Sequence, residues 1–148
     1  MSTTFKGRVV LSGDVSGKAT VSRQAFNTSG SYMENMFAGR TDAAPCTDAS
    51  NKALFGKDLS GAILCVPTTV GSTMGGMCLM GMKAIGVGPQ AMLFSKPIDT
   101  LAAAGVLMSD IWKDARIVTI DMLGDEFLET VQMGDPVAIH EDGTVEVG

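Results

Sequence analysis

Two neighbouring hydroxyls, Ser72 and Thr73, sit in the string Val70-Gly71-Ser72-Thr73-Met74-Gly75-Gly76, after an apolar run and before a stretch with helical spacing. Gly71 permits a tight turn there. A helix leaves its first N–H groups without partners. A serine at its start can therefore cap it, or the terminus can attract a carboxylate or phosphate and leave the hydroxyl exposed. Capping is the plainest of these uses. The string Ser95-Lys96-Pro97-Ile98-Asp99 follows a second apolar run, which places Ser95 at the same sheet end as Ser72, where open α/β sheets hold ligands. It also reads as a turn followed by an Asp99 helix cap.

Cys46 lies in Ala44-Pro45-Cys46-Thr47-Asp48, a polar stretch that gives it no packing reason, so it is a candidate thiolate ligand or redox-sensitive thiol. Cys65 and Cys78 fall on apolar faces and read as core. With three cysteines, no CxxC and one histidine, no complete zinc or iron–sulfur site can be assembled from this chain. His140 ends an apolar run, has no serine or cysteine spaced to pair with it, and reads as surface. Asp121, Asp125, Glu126 and Glu129 gather around Gly124 and read as a solvated helix face or a partner contact.

The elements that must position these groups follow from periodicity. Residues 62–66 and 91–94 are short continuous apolar runs, the pattern of strands buried on both faces. Residues 116–120 make a third strand. Met74, Met77, Cys78 and Met82 recur at helical spacing, and Asp99 can cap a helix through Leu101, Val106 and Ile111. Residues 5–11 and 18–22 read as a hairpin or a strand–loop–strand around a Gly/Asp/Ser cluster. Residues 136–140 and 144–147 form a hairpin across Glu141-Asp142-Gly143. Between residues 24 and 61 the pattern dissolves into polar residues with scattered apolar anchors, a long irregular segment of the kind that is functional or disordered.

The whole, residues 1–148, reads as a single α/β domain with a mixed sheet or small barrel flanked by helices. A doubly wound nucleotide domain competes, but GxGxxG and GxxxxGK[ST] are both missing. A net charge of -5 without a basic stripe excludes phosphate-backbone binding, so no nucleic acid partner is expected. No apolar run approaches the ~18 residues of a membrane span and no leader pattern opens the chain, so a cytoplasmic protein is expected. Charged residues are only 18%, with 18 glycines and 11 methionines, which suits a domain with one face packed on a partner.

Residues 56–67, the string from Val70 to Gly76, residues 91–94 and the closing Asp142-Gly143-Thr144-Val145 resemble, in that order, the small subunits of the aconitase X family. The resemblance covers residues 7–147 and implies the swivelling β/β/α domain of the aconitase superfamily. It implies a hydro-lyase subunit that is inactive without its large subunit. That subunit would hold an iron–sulfur cluster and most of a small hydroxy-acid substrate. Ser72 matches the serine base, with Gly71, Thr73 and Ser95 implied at the substrate and Cys46 as a contributor to the metal. The serine-poor loop and the long 24–61 segment are most similar to the bacterial branch that dehydrates cis-3-hydroxy-L-proline to delta-1-pyrroline-2-carboxylate. The alternatives are a mevalonate 5-phosphate dehydratase small subunit and a non-catalytic swivel module that binds carboxylate or phosphate. A phosphocarrier domain is disfavoured because no histidine follows the Thr/Gly-rich loop.

Chemistry limits what Ser72 can do alone. An aliphatic hydroxyl is nearly as weak an acid as water, whose pKa is ~15.7. A helix terminus lowers that by no more than ~1.5 units. A cation or cluster field from the partner is needed to ionise it.

Overall fold

The structure, a computed structural model, describes residues 2–148. The first β run of the sequence divides at Gly7 into β1 (Thr3–Lys6) and β2 (Arg8–Leu11), which occupy the two ends of one eight-stranded sheet. β3 (Val15–Val21) pairs with neither, so this part of the chain is strand–loop–strand and not a hairpin. There follow β4 (Phe26–Asn27), a single turn α1 (Thr28–Ser31) and α2 (Met33–Ala38). The core continues with β5 (Ile63–Val66), β6 (Thr69–Val70), α3 (Gly75–Ala84), β7 (Ala91–Phe94), α4 (Thr100–Lys113) and β8 (Val118–Asp121). It ends with α5 (Asp125–Thr130), β9 (Pro136–Ile139) and β10 (Thr144–Val147).

The sheet runs β1-β10-β9-β3-β5-β7-β8-β2, with β3, β5, β7 and β8 parallel and the flanking strands antiparallel. Gly7 joins the two edge strands directly, and its N–H donates to Gly143 O at 3.1 Å, so the sheet is nearly closed on itself. The expected α/β architecture of sheet or small barrel with helices is the one observed. The tail hairpin forms as read, with Val145 opposite Ile139.

Strands β5 and β7 are apolar throughout because both of their faces are covered. Leu64, Val66, Met92 and Phe94 enter the core beneath α3 and α4, while Ile63, Cys65, Ala91 and Leu93 point to the other side, with Phe127 of α5 and Val145. Each fully buried side chain of this size stabilises by roughly 1.5–3 kcal/mol. On α3 the buried stripe is Gly75, Gly76, Cys78, Leu79 and Met82, so Met74 and Met77, expected on the inner face, are instead exposed.

Within residues 24–61 the anchors Phe26, Tyr32, Leu54 and Leu59 are fully buried. Asn51 Nδ2 donates to Ser22 Oγ at 2.9 Å and Thr47 Oγ1 to Gly30 O at 2.7 Å. The segment carries little regular structure but is tied to the core by its own side chains.

The acidic group divides. Asp125, Glu126 and Glu129 are exposed on α5, whereas Asp121 is buried and accepts from Arg8 Nε (2.9 Å), Arg8 Nη2 (2.6 Å) and Ile98 N (2.7 Å). A buried carboxylate requires such partners. They come from distant parts of the chain, which is why the local charge pattern misplaced it. Among the described residues, no helix is long and apolar enough to cross a membrane.

Candidate functional site

Ser72 is presented by a strap that leaves the end of β5 and never joins the large sheet. Its two-residue strand β6 pairs only with β4, Phe26 beside Thr69 and Asn27 beside Val70. On one side Asp99 holds it: the carboxylate accepts from Thr69 N (2.8 Å), Thr69 Oγ1 (2.8 Å) and Thr68 Oγ1 (3.1 Å). The same carboxylate caps α4 through Ala102 N at 3.0 Å, as the sequence led us to expect. Partial burial acts to raise its pKa. The hydrogen bonds from Ala102, Thr69 and Thr68 outweigh that, and the carboxyl titrates below its usual range.

On the other side stands Asn27, whose Oδ1 accepts from Gly30 N at 2.9 Å and closes the start of α1. Gly71 passes against it at φ +110, and a Cβ there would lie 2.5 Å from Asn27 Oδ1. Both the dihedral and the space demand glycine at this point. Gly71 is thus a requirement of the turn's backbone.

The turn then delivers Ser72 and Thr73 to solvent, both exposed. Ser72 is not the helix cap. Met74 occupies that position and supplies no side-chain bond to the first turn of α3. Ser72 Oγ accepts from Met74 N at 3.1 Å, and its carbonyl accepts from Gly75 N at 2.9 Å. The hydroxyl therefore stands two residues ahead of the cap, and Val70, Met74 and Met77 of the same stretch are exposed.

Ser95 does follow β7 at the end where β5 finishes, and its N–H donates to Val66 O at 3.1 Å. Its side chain is not displayed there: the residue is buried and its hydroxyl has no hydrogen-bond partner. His140 lies on the tail hairpin, half exposed, with Nε2 2.8 Å from Glu146 Oε2.

Cys46 has the packing explanation that its neighbours concealed. It is 2% exposed, inside the helix-side core, and its backbone bonds to Lys57 O and Gly56 N at 2.8 Å each. It lines a groove of about 720 Å³ between α2 and the following turns, with Phe37 and Phe55 on the walls. Burial pushes the Cys65 thiol up to about 12 and the Cys78 thiol up to about 11. Cys78 Sγ lies 3.3 Å from Met36 Sδ. Among the described residues, no three His, Cys, Asp or Glu side chains converge as a metal site.

Asn27, Thr68 and Thr69 escaped the sequence reading. Asp99 was visible there only as a cap, and contacts spanning 30 residues or more leave no local signal.

The site is thus a hydroxyl-bearing turn at the end of the parallel strands of a nearly closed mixed sheet. The chain belongs to the aconitase X swivel domain family, which matches residues 4–147. It is 28% identical over 144 residues to the phosphomevalonate dehydratase small subunit of Archaeoglobus fulgidus, covering 97% of both chains. It is 30% identical over 144 residues to that of Methanocella arvoryzae, covering 97% of this chain and 96% of the other. The crystal structure of Thermococcus kodakaraensis aconitase X (holo-form) superposes with a TM-score of 0.80 at 26% identity, covering 99% and 98% of the two chains. These curated relatives are phosphomevalonate dehydratase small subunits, which fits the alternative reading better than the cis-3-hydroxy-L-proline branch expected from the loop.

Proposed function

We propose that this chain is the small, swivel subunit of a two-chain aconitase X-type hydro-lyase whose substrate is phosphomevalonate. One observation carries the reading: the Ser72 hydroxyl is exposed on a turn whose backbone Gly71 and Asn27 fix, ahead of a helix with no side-chain cap. An open first turn of this kind favours a carboxylate or phosphate, and phosphomevalonate carries both.

In this reading Ser72, as an alkoxide, takes the proton from the carbon beside the substrate carboxylate. The C–H electron pair becomes the carbon–carbon double bond, and the hydroxyl of the next carbon leaves toward the large subunit, where a Lewis-acidic iron would accept it. The neighbours of Ser72 here include no cationic side chain among the contacts that fix the turn. A cation of the large subunit must therefore stabilise the alkoxide. The iron–sulfur cluster is assigned to the large subunit as well, since no three potential metal ligands converge among the described residues of this chain. The exposed Val70, Met74 and Met77 would be covered when the partner closes over the turn, excluding water from it.

The test is reconstitution with an aconitase X large subunit from the same source. Mevalonate 5-phosphate should be dehydrated by the pair and by neither chain alone. Turnover of cis-3-hydroxy-L-proline without turnover of mevalonate 5-phosphate would overturn the substrate. Two non-associating chains on size-exclusion chromatography would overturn the assembly.

A further inference from the structure

We propose that Asp99 is a positioning residue for Ser72, its carboxylate locking the Thr68–Thr69 strap against the start of α4 so that the serine hydroxyl is held in one place. The proposal rests on the assignment of Ser72 as the base.

A helix cap needs one acceptor, and serine, threonine or asparagine would serve at this position. Asp99 is used well beyond that. Oδ1 accepts from Ala102 N at 3.0 Å, which completes the cap. Oδ2 accepts from Thr69 N (2.8 Å) and Thr68 Oγ1 (3.1 Å), while Thr69 Oγ1 lies 2.8 Å from both oxygens. Only a carboxylate offers acceptors on both branches. In asparagine the amide NH2 would face the Thr69 N–H, donor against donor.

The strap has little else to fix it. β6 is two residues long and has one partner strand, itself two residues long, so its ladder contributes few bonds. From Thr69 the chain reaches Ser72 in three residues, with Gly71 pressed against Asn27 on the far side. Asp99 and Asn27 are therefore the two jaws of a clamp, and the serine is what emerges from it. Asp99 is also seated on α4, which packs against α3, so the start of α3 and the strap share one support. Because the carboxyl titrates below its usual range, the clamp is charged throughout neutral pH.

The experiment uses the reconstituted complex. Asp99→Ser keeps a capping oxygen for α4 but withdraws the strap bonds, and Thr69→Val removes a hydroxyl at nearly constant volume. Both should lower kcat by about 10- to 100-fold with KM changed little, because a small misplacement of a reacting group costs rate more than binding. Thr69→Ser should recover most of the loss. Amide exchange at residues 70–74 should accelerate in Asp99→Ser. In a Ser72→Ala background, Asp99→Ser should cost nothing further, since the two act as one unit.

Turnover within about twofold of the parent in both Asp99→Ser and Thr69→Val, beside an inactive Ser72→Ala, overturns the positioning role. So does unchanged exchange at residues 70–74 in Asp99→Ser. A fully active Ser72→Ala sinks the base assignment instead, and the exchange measurement then still decides whether Asp99 holds the turn.

Discussion

Gly76 of α3 and Gly105 of α4 bring the two helix backbones into contact. A Cβ on Gly76 would lie 2.8 Å from Leu101 O, and one on Gly105 would lie 2.8 Å from Gly76 O. No side chain can stand between the helices at this crossing. The contact ties the start of α3, one turn from Ser72, to the first half of α4, which begins at the Asp99 cap.

Gly105→Ala should therefore separate the helices. The obstructing atoms are backbone, which cannot turn aside, so overpacking should cost about 1–3 kcal/mol. For a chain of this size that is a fall in Tm of roughly 2–12 °C, read by thermal unfolding. The better helix propensity of alanine offsets about 1 kcal/mol at most. A raised Tm would show that α3 and α4 can slide apart freely.

Much of this architecture was legible in the sequence where a local pattern reports burial. Residues 62–66 and 91–94 read as doubly buried strands because every side chain is apolar, and both faces of the strands observed at Ile63–Val66 and Ala91–Phe94 are indeed covered. Asp99 announced α4, and Asp142-Gly143 announced the tail hairpin. The division of the first β run at Gly7 was not legible, because Phe5, Val9 and Val10 continue the apolar pattern across it. Only the partners differ, β10 before the glycine and β8 after it. Asp121 looked solvated because its partner Arg8 is 113 residues away. At the site, Ser72 and Gly71 were visible as a turn before a helix. The two-residue displacement of the hydroxyl from the cap was not, since it depends on Asn27 and Asp99 acting from outside the segment.

Stability should be greatest between about pH 4 and pH 6.5. The Asp142 carboxyl is held down to about 2, chiefly by the Thr144 backbone N–H. Asp58 is also lowered: its slight burial acts the other way but yields to the N–H groups of Ala44 and Ser60. Asp99 is lowered as argued above. Carboxyls with lowered folded values contribute stability above the ordinary value of 3.8, and that contribution is lost as the pH falls through the folded values. His140 behaves oppositely. Its hydrogen bond with Glu146 raises it from 6.5, so its contribution is complete below that value and is lost as the pH climbs through the folded one. Tm measured against pH should fall steeply below about 4 and slightly above about 6.5, with only the alkaline step removed in His140→Gln. A Tm still level at pH 2 would contradict the carboxylate account.

The native chain should show no fast-reacting thiol at pH 8. Cys65 and Cys78 are pushed to about 12 and about 11 by burial, so almost no thiolate is present, and Cys46 is shielded from solvent. Titration with a thiol reagent should register three cysteines only after denaturation. Rapid labelling confined to Cys46 would show that the groove between α2 and Phe55 opens, and would restore this residue as a metal contributor.

Ser72→Ala gives the sharpest separation of stability from chemistry. Because Met74 is the cap, the substitution removes only one exposed hydrogen bond, from Met74 N to Ser72 Oγ at 3.1 Å. Its net worth is about 1 kcal/mol or less, well within the stability of a domain of this size. Association with the large subunit, followed by size-exclusion chromatography, should therefore be unchanged. A general base contributes about 10²–10⁴-fold to rate, so kcat should fall across that range while KM moves little. Thr73→Ala, altering a neighbouring hydroxyl equally exposed on the same turn, should cost much less, since no part in the proton transfer is assigned to it. Equal losses in the two variants would mean that the turn binds substrate as a surface and that no single hydroxyl acts. Near-normal turnover in Ser72→Ala would move the base to the large subunit and leave this chain the task of closing the site.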